Sequence, residues 1–120
     1  MEIEREDFGD TAVIRCLEDR LDAVIAVQFK DKFRGFADDG TTRFVLDMSR
    51  IEFMDSSGLG AIVAVYKLLG QDKLLDLAAL TQPVERVFKL TRMDSVFNIY
   101  ADTDAALLAD TYADATRTAS

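Results

Sequence analysis

The chain has no histidine and no tryptophan, one cysteine (Cys16), one proline (Pro83) and six glycines in 120 residues. Each scarcity excludes something. Without histidine there is no imidazole to activate a serine or cysteine nucleophile, and the commonest metal ligand is missing. A single cysteine rules out a disulfide within the chain, and a zinc site would need more ligands. Cys16 sits in an apolar, strand-like run from Ala12 to Leu17 and reads as a buried small hydrophobe. No apolar run approaches about 18 residues without a charge. The N-terminus, MEIEREDFGD, lacks a basic region followed by an apolar core. The chain is therefore expected to be cytoplasmic, with no direct membrane insertion.

What is present describes a globular protein. Apolar residues make up 49% of the chain and charged ones 30%, enough for a real core inside one domain of ordinary size. The formal net charge is -8 and no basic cluster offsets it. Such a chain is a poor ligand for nucleic acid or anionic membranes. It suits solubility and a basic protein partner.

The hydropathy pattern alternates between strand and helix. Ile3 to Phe8 alternates weakly, as an edge strand does, and Gly9-Asp10 signals a turn into a second strand, Ala12 to Leu17. Asp22 can cap a helix from Ala23 to about Phe36, with Ile25, Phe29, Phe33 and Phe36 on its buried face. Asp38-Asp39-Gly40 ends that unit. Phe44-Val45-Leu46 is a continuous apolar run, read as a central strand buried on both faces. A helix from Ser57 to Leu69 follows, then a strand from Leu74 to Leu80. Pro83 opens a third helix, with Val84, Val87, Phe88 and Thr91 as its inward stripe. Val96 to Ala101 reads as a last strand. Asp102-Thr103-Asp104 caps a last helix carrying Leu107 and Leu108, and the polar tail from about Thr111 to Ser120 is expected to fray. The order β-β-α-β-α-β-α-β-α gives an α/β domain over residues 1–110, with a mixed sheet of about five strands and about four helices. Residues 111–120 form the tail.

The stretch from Phe44 to Leu69 carries the functional signal. It brings Met54-Asp55-Ser56-Ser57-Gly58 to the mouth of a helix, where α/β sheets usually place function. Asp55, Ser56 and Ser57 are all candidate caps, which by itself is a structural role. Gly58 and Gly60 each cost roughly 1 kcal/mol of helix propensity, so their presence implies close approach of another backbone or of a partner surface. By helical geometry Leu59, Ile62, Val63, Tyr66 and Leu69 share the face turned to the sheet. Ala61, Ala64, Val65 and Leu68 lie on the other side, which carries no charge and reads as a docking surface. Catalysis by the serines is not expected. The chain lacks a base, Met54 stands where a G-x-S-x-G elbow needs glycine, and no phosphate-binding loop is present. A serine at a helix N-terminus can instead receive a phosphate, because free N–H groups and the helix dipole favour an anion there.

The stretch Phe53-Met54-Asp55-Ser56-Ser57-Gly58-Leu59-Gly60 resembles the signature of the STAS family, and within it the stand-alone anti-sigma factor antagonists. Leu21-Asp22-Ala23, Phe44 to Asp47, Pro83-Val84, Val87 to Thr91 and Met93-Asp94 through Tyr100 add weaker similarity, so the likeness spans about residues 2 to 109. The chain departs from the family pattern at three turns. Glu18-Asp19-Arg20 precedes the Leu-Asp pair where a glycine is frequent. Arg92 follows the threonine of the third helix where glycine is usual, and Asp72-Lys73 replaces a Gly-Gly pair.

The resemblance implies a single STAS-like domain that binds an anti-sigma factor which is also a serine kinase of the GHKL type. It implies Ser56, directly after the aspartate, as the phosphate acceptor, with Ser57 the alternative, and a PP2C-type phosphatase that restores the free serine. The kinase supplies nucleotide and magnesium, so no cofactor, metal or catalytic residue is expected in this chain. The docking residues on this reading are Asp55, Ser56, Ser57, Gly58, Gly60, Ala61, Ala64, Val65 and Leu68, with Ser57 acting as the helix cap. Two other readings are a STAS subunit of a membrane lipid-transport complex, in which Ser56 only caps the helix, and a small enzyme or nucleotide-binding protein.

Overall fold

The computed structural model describes residues 1–36 and 39–109, so Asp38 and the tail from Thr111 lie outside the described residues. Strands β1 (Ile3–Phe8) and β2 (Thr11–Cys16) form the expected antiparallel hairpin. A two-residue strand β3 (Arg20–Leu21) then leads into α1 (Ala23–Phe36). Next come β4 (Arg43–Asp47), a second two-residue strand β5 (Phe53–Met54), and α2 (Ser56–Leu69). Strand β6 (Leu74–Ala78), helix α3 (Gln82–Leu90), a 3-10 turn (Met93–Ser95) and β7 (Ile99–Tyr100) follow. Residues 103–109 are helical and form α4.

The main sheet has the order β1-β2-β4-β6-β7, antiparallel only at its β1 edge. Each crossover steps one strand further in the same direction, and right-handed crossovers of one direction put their helices on one face. The core reflects this. Phe29 and Phe33 of α1, Ile62 and Val65 of α2, and Val84 and Phe88 of α3 all pack on Ala12, Ile14, Phe44, Leu46 and Leu77. The opposite face is covered by α4, where Ala106 meets Val13, Val45 and Ala78. Strand β4 is therefore buried on both sides, as its unbroken apolar run requires.

The second face also holds charge. Arg43 and Asp76 form an ion pair at 2.7 Å, with side chains only 4% and 6% exposed. Arg43 Nη1 donates to the Ala106 carbonyl at 3.0 Å, and Thr103 Oγ1 donates to Asp47 at 3.0 Å. These bonds fasten α4 to the sheet. The partners in this layer lie far apart in sequence, so no local pattern marks it. Cys16 is buried as expected. Burial, then the nearby charges of Asp47 and Glu18, push its thiol up to about 12, so it stays protonated and unreactive at neutral pH.

The expected strand from Val96 to Ala101 shrinks to Ile99–Tyr100. Phe97 turns into the core instead, edge-to-face with Phe88 at 6.0 Å and Tyr66 at 5.2 Å. The inward stripe of α3 is shorter than expected. Val84 and Phe88 are buried and Val87 half-buried, but Thr91 is exposed, its hydroxyl donating to the Val87 carbonyl at 2.7 Å. On α4 the buried residue is Ala106, while Leu108 is exposed.

Helix α3 ends with Arg92 at φ +60°, the left-handed position where glycine is the usual residue. An L side chain there costs roughly 1–2 kcal/mol. Arg92→Gly is accordingly expected to raise the unfolding free energy by about 1 kcal/mol. Urea melts of the two proteins, compared by their midpoints at equal slope, check this.

Candidate functional site

The site is the mouth of α2, built by two short parallel strands. Strands β3 and β5 pair Arg20 with Phe53 and Leu21 with Met54. The chain thus enters α1 and α2 side by side, and an aspartate follows each strand. Asp22 accepts a hydrogen bond from the Ile25 N–H at 3.2 Å, and Asp55 accepts one from the Gly58 N–H at 3.0 Å. Each carboxylate satisfies an N–H that has no acceptor inside its helix and adds a negative charge at the positive end of the dipole. The N-cap of α2 is therefore Asp55, not Ser57, and the helix starts one residue earlier than expected, at Ser56. The shift has a simple cause: a carboxylate two residues ahead of Ser57 takes the N–H of the third helical residue.

Relieved of capping, Ser56 and Ser57 are both exposed in the first turn. Helix geometry gives their N–H groups no intrahelical acceptor. Beside them Phe53 is 47% exposed, with the Arg20 guanidinium stacked over its ring at 5.1 Å and paired with Asp22 at 3.4 Å. Among the described residues no three His, Cys, Asp or Glu side chains are placed to hold a metal ion. No described helix is long and apolar enough to cross a membrane. The mouth offers hydroxyls, open N–H groups and a carboxylate, but no base to make either serine a nucleophile.

The two glycines of the first turn have different reasons. A Cβ on Gly58 would overlap the Leu21 carbonyl oxygen and lie 2.9 Å from the Leu21 carbonyl carbon and 3.0 Å from its Cγ. Gly58 is thus the backbone-on-backbone contact between α2 and β3. Gly60 faces open space, with nothing within 4 Å of where a methyl group would stand.

The two faces of α2 are rotated from the sequence expectation. Ala61 and Val65, expected on the outer side, are 2% and 1% exposed and pack into the core. Gly58 is buried with them. Ile62 and Leu69 are buried as expected and Leu59 and Val63 half-buried, but Tyr66 is exposed along one edge and touches Phe97. Gly58, Ala61, Ile62, Val65 and Leu69 form one buried stripe along α2, which packs against α1, β3, β5 and β6. The open ridge runs through Ser56, Ser57, Gly60, Ala64, Lys67 and Leu68, of which Ala64 is half-buried.

Known proteins share this sequence pattern and this fold. The family profile described as STAS domain matches residues 2–106. A Bordetella bronchiseptica protein named as an anti-sigma factor antagonist, BtrV, is 31% identical over 104 residues, covering 86% of this chain and 90% of that protein. An anti-sigma-B factor antagonist of Staphylococcus aureus is 26% identical over 85 residues, 70% of this chain and 79% of that protein. The crystal structure of an anti-sigma factor antagonist from Mycobacterium paratuberculosis superposes with a TM-score of 0.81 at 28% identity, covering 90% of this chain and 92% of that one.

The glycine geometry sets opposite outcomes for one substitution at two neighbouring sites. Gly58→Ala is expected to destabilise the fold by about 3 kcal/mol, because backbone must move to clear the methyl group. Gly60→Ala is expected to stabilise it by about 0.5–1 kcal/mol through helix propensity alone. Thermal melts of the two variants read the difference directly.

Proposed function

The chain belongs to the STAS domain family, and on that premise we propose that it acts as an anti-sigma factor antagonist. In its unphosphorylated form it binds an anti-sigma factor that is also a GHKL-type serine kinase. Phosphorylation of Ser56 releases the partner, and a PP2C-type phosphatase resets the switch. The output is transcription or a related process run by partner exchange. The observation that supports this reading best is the exposed Ser56 hydroxyl on the first residue of α2, directly after an aspartate that already caps the helix.

The chemistry fits a substrate. The partner kinase transfers the γ-phosphoryl group of ATP to Ser56 Oγ, ADP leaves, and the hydroxyl proton goes to a base on the kinase. The product carries about -1.5 to -2 charges at a helix N-terminus, where the dipole and the free N–H groups accept an anion. The fold is preserved. On the ridge, the same dianion lies beside the Asp55 carboxylate and has to be desolvated for a partner to remain in place, so the interface is lost.

The docking surface on this reading is the mouth itself, Asp55, Ser56, Ser57 and Gly60; Ala64 and Leu68 lie about 12 and 18 Å further along the same ridge, out of reach of a charge on Ser56, and leave it. Gly58, Ala61 and Val65 leave it because they are buried. Gly60 keeps its place for a positive reason: its open flank lets a partner backbone come close to the acceptor serine.

Incubation with the cognate kinase and ATP is expected to add one phosphate, located at Ser56 by peptide mass spectrometry. Ser56→Ala should abolish the gain and retain kinase binding, and Ser56→Asp should weaken binding by about tenfold or more. Phosphate found on Ser57 with Ser56 unmodified would move the acceptor by one residue. Absence of any modification or complex would remove the switch.

A further inference from the structure

At the end of α2 farthest from Ser56, the seam between α1 and α2 opens into a groove of about 320 Å³. It is lined by Lys30, Arg34, Ala64, Val65, Lys67 and Leu68. The floor is apolar and the rim is basic, and among the described residues no carboxylate lines it. This is unexpected on a chain of net charge -8, for which a basic partner is the natural expectation. Among the described residues Lys30 and Lys67 have no ion-pair partner, and Arg34 is held only by Asp31 at 2.7 Å, in a solvent-exposed pair. Exposed ion pairs of that kind contribute little and are readily exchanged. Leu68 is 44% exposed at the groove, and exposed Val27 continues the apolar strip along the same side of α1 as Lys30 and Arg34.

Helices α1 and α2 leave the parallel pair β3–β5 in the same direction and pack side by side. An apolar furrow between two such helices accepts the ridge of a third. We propose that this groove is a second docking site, taking an amphipathic helix of a protein partner whose apolar stripe is flanked by carboxylates. Leu68 is the apolar anchor, and Lys30, Arg34 and Lys67 pair with the flanking acids as both sides lose water.

The site works independently of the serine switch. Residues 64–68 stand roughly 12–18 Å from Ser56 at 1.5 Å of rise per residue. The screening length at physiological salt is about 8 Å, so a charge added at Ser56 is largely screened at the groove. A partner held here stays bound when the mouth has released its own. The proposal therefore stands or falls apart from the phosphorylation of Ser56.

The test is a titration of the isotope-labelled full chain with a synthetic helical peptide of about five turns. The peptide has leucines at i, i+3, i+4 and i+7 and glutamates beside them, and a second peptide carries lysine for every glutamate. The Glu peptide is expected to give saturable amide shifts at Lys30, Arg34, Ala64 and Leu68. Lys30→Glu with Arg34→Glu should weaken it by about tenfold or more, whereas Ser56→Asp should change it by less than about twofold. Where the double variant melts early, Lys67→Glu on the exposed rim carries the same comparison. The proposal is overturned by shifts confined to another surface, by a Lys peptide binding as tightly, or by no saturable binding. It is equally overturned if the chain prefers phosphatidylglycerol vesicles to the Glu peptide, which would make the groove a lipid contact.

Discussion

The carbonyl of Leu21 lies where any side chain at residue 58 would have to go, and the site depends on that contact. Strand β3 can approach α2 only because the third helical residue is glycine. The approach sets β3 beside β5, and that pairing brings the two aspartate caps out side by side. Asp55 takes the capping role, so Ser56 is free of it. A larger residue at 58 would disturb the presentation of the serine before it touched any partner. The packing of the fold and the chemistry of the mouth thus share one constraint.

From there the properties of α2 divide along its length. Its first turn follows an aspartate cap and is hydroxyl-bearing and open, with Gly60 leaving room for another backbone. Its last turns are apolar and flanked by lysine and arginine. A negative charge arriving at the first end meets a carboxylate and a helix dipole, and these act in opposite senses: the dipole favours the anion in the fold, and the carboxylate opposes an anionic or desolvated surface over it. On the proposed reading, this division lets a phosphate act at one end of the helix while the groove at the other end keeps its own contact.

Much of this is legible in the residues. The order of elements, the central strand from Phe44, the α1 aromatic face and the close backbone approach at Gly58 all follow from periodicity and turn chemistry. What is not legible has physical reasons. The strands β3 and β5 have two residues each, too short for any alternation to show. Three candidates for one cap, Asp55, Ser56 and Ser57, are equal in sequence, and only the hydrogen bond to Gly58 separates them. A helix apolar on most of its surface gives no phase, so sequence alone turns Ala61 and Val65 outward, and only the tertiary packing of α2 buries them. No local pattern marks the pairing of Arg43 with Asp76, because it spans 33 residues of sequence. The basic groove joins residues of two helices, and neither helix alone carries its pattern.

The central claim is that phosphate on Ser56 alters a surface and leaves the fold alone. The most direct measurement compares amide spectra and melting temperatures of the unmodified chain and of the chain carrying phosphoserine at position 56. Shifts confined to β3, β5 and the first turns of α2, with a melting temperature unchanged to within about 2–4 °C, are the result this account predicts. Shifts spread through β4, β6 and α3, or a melting temperature lowered by about 10 °C or more, would contradict it.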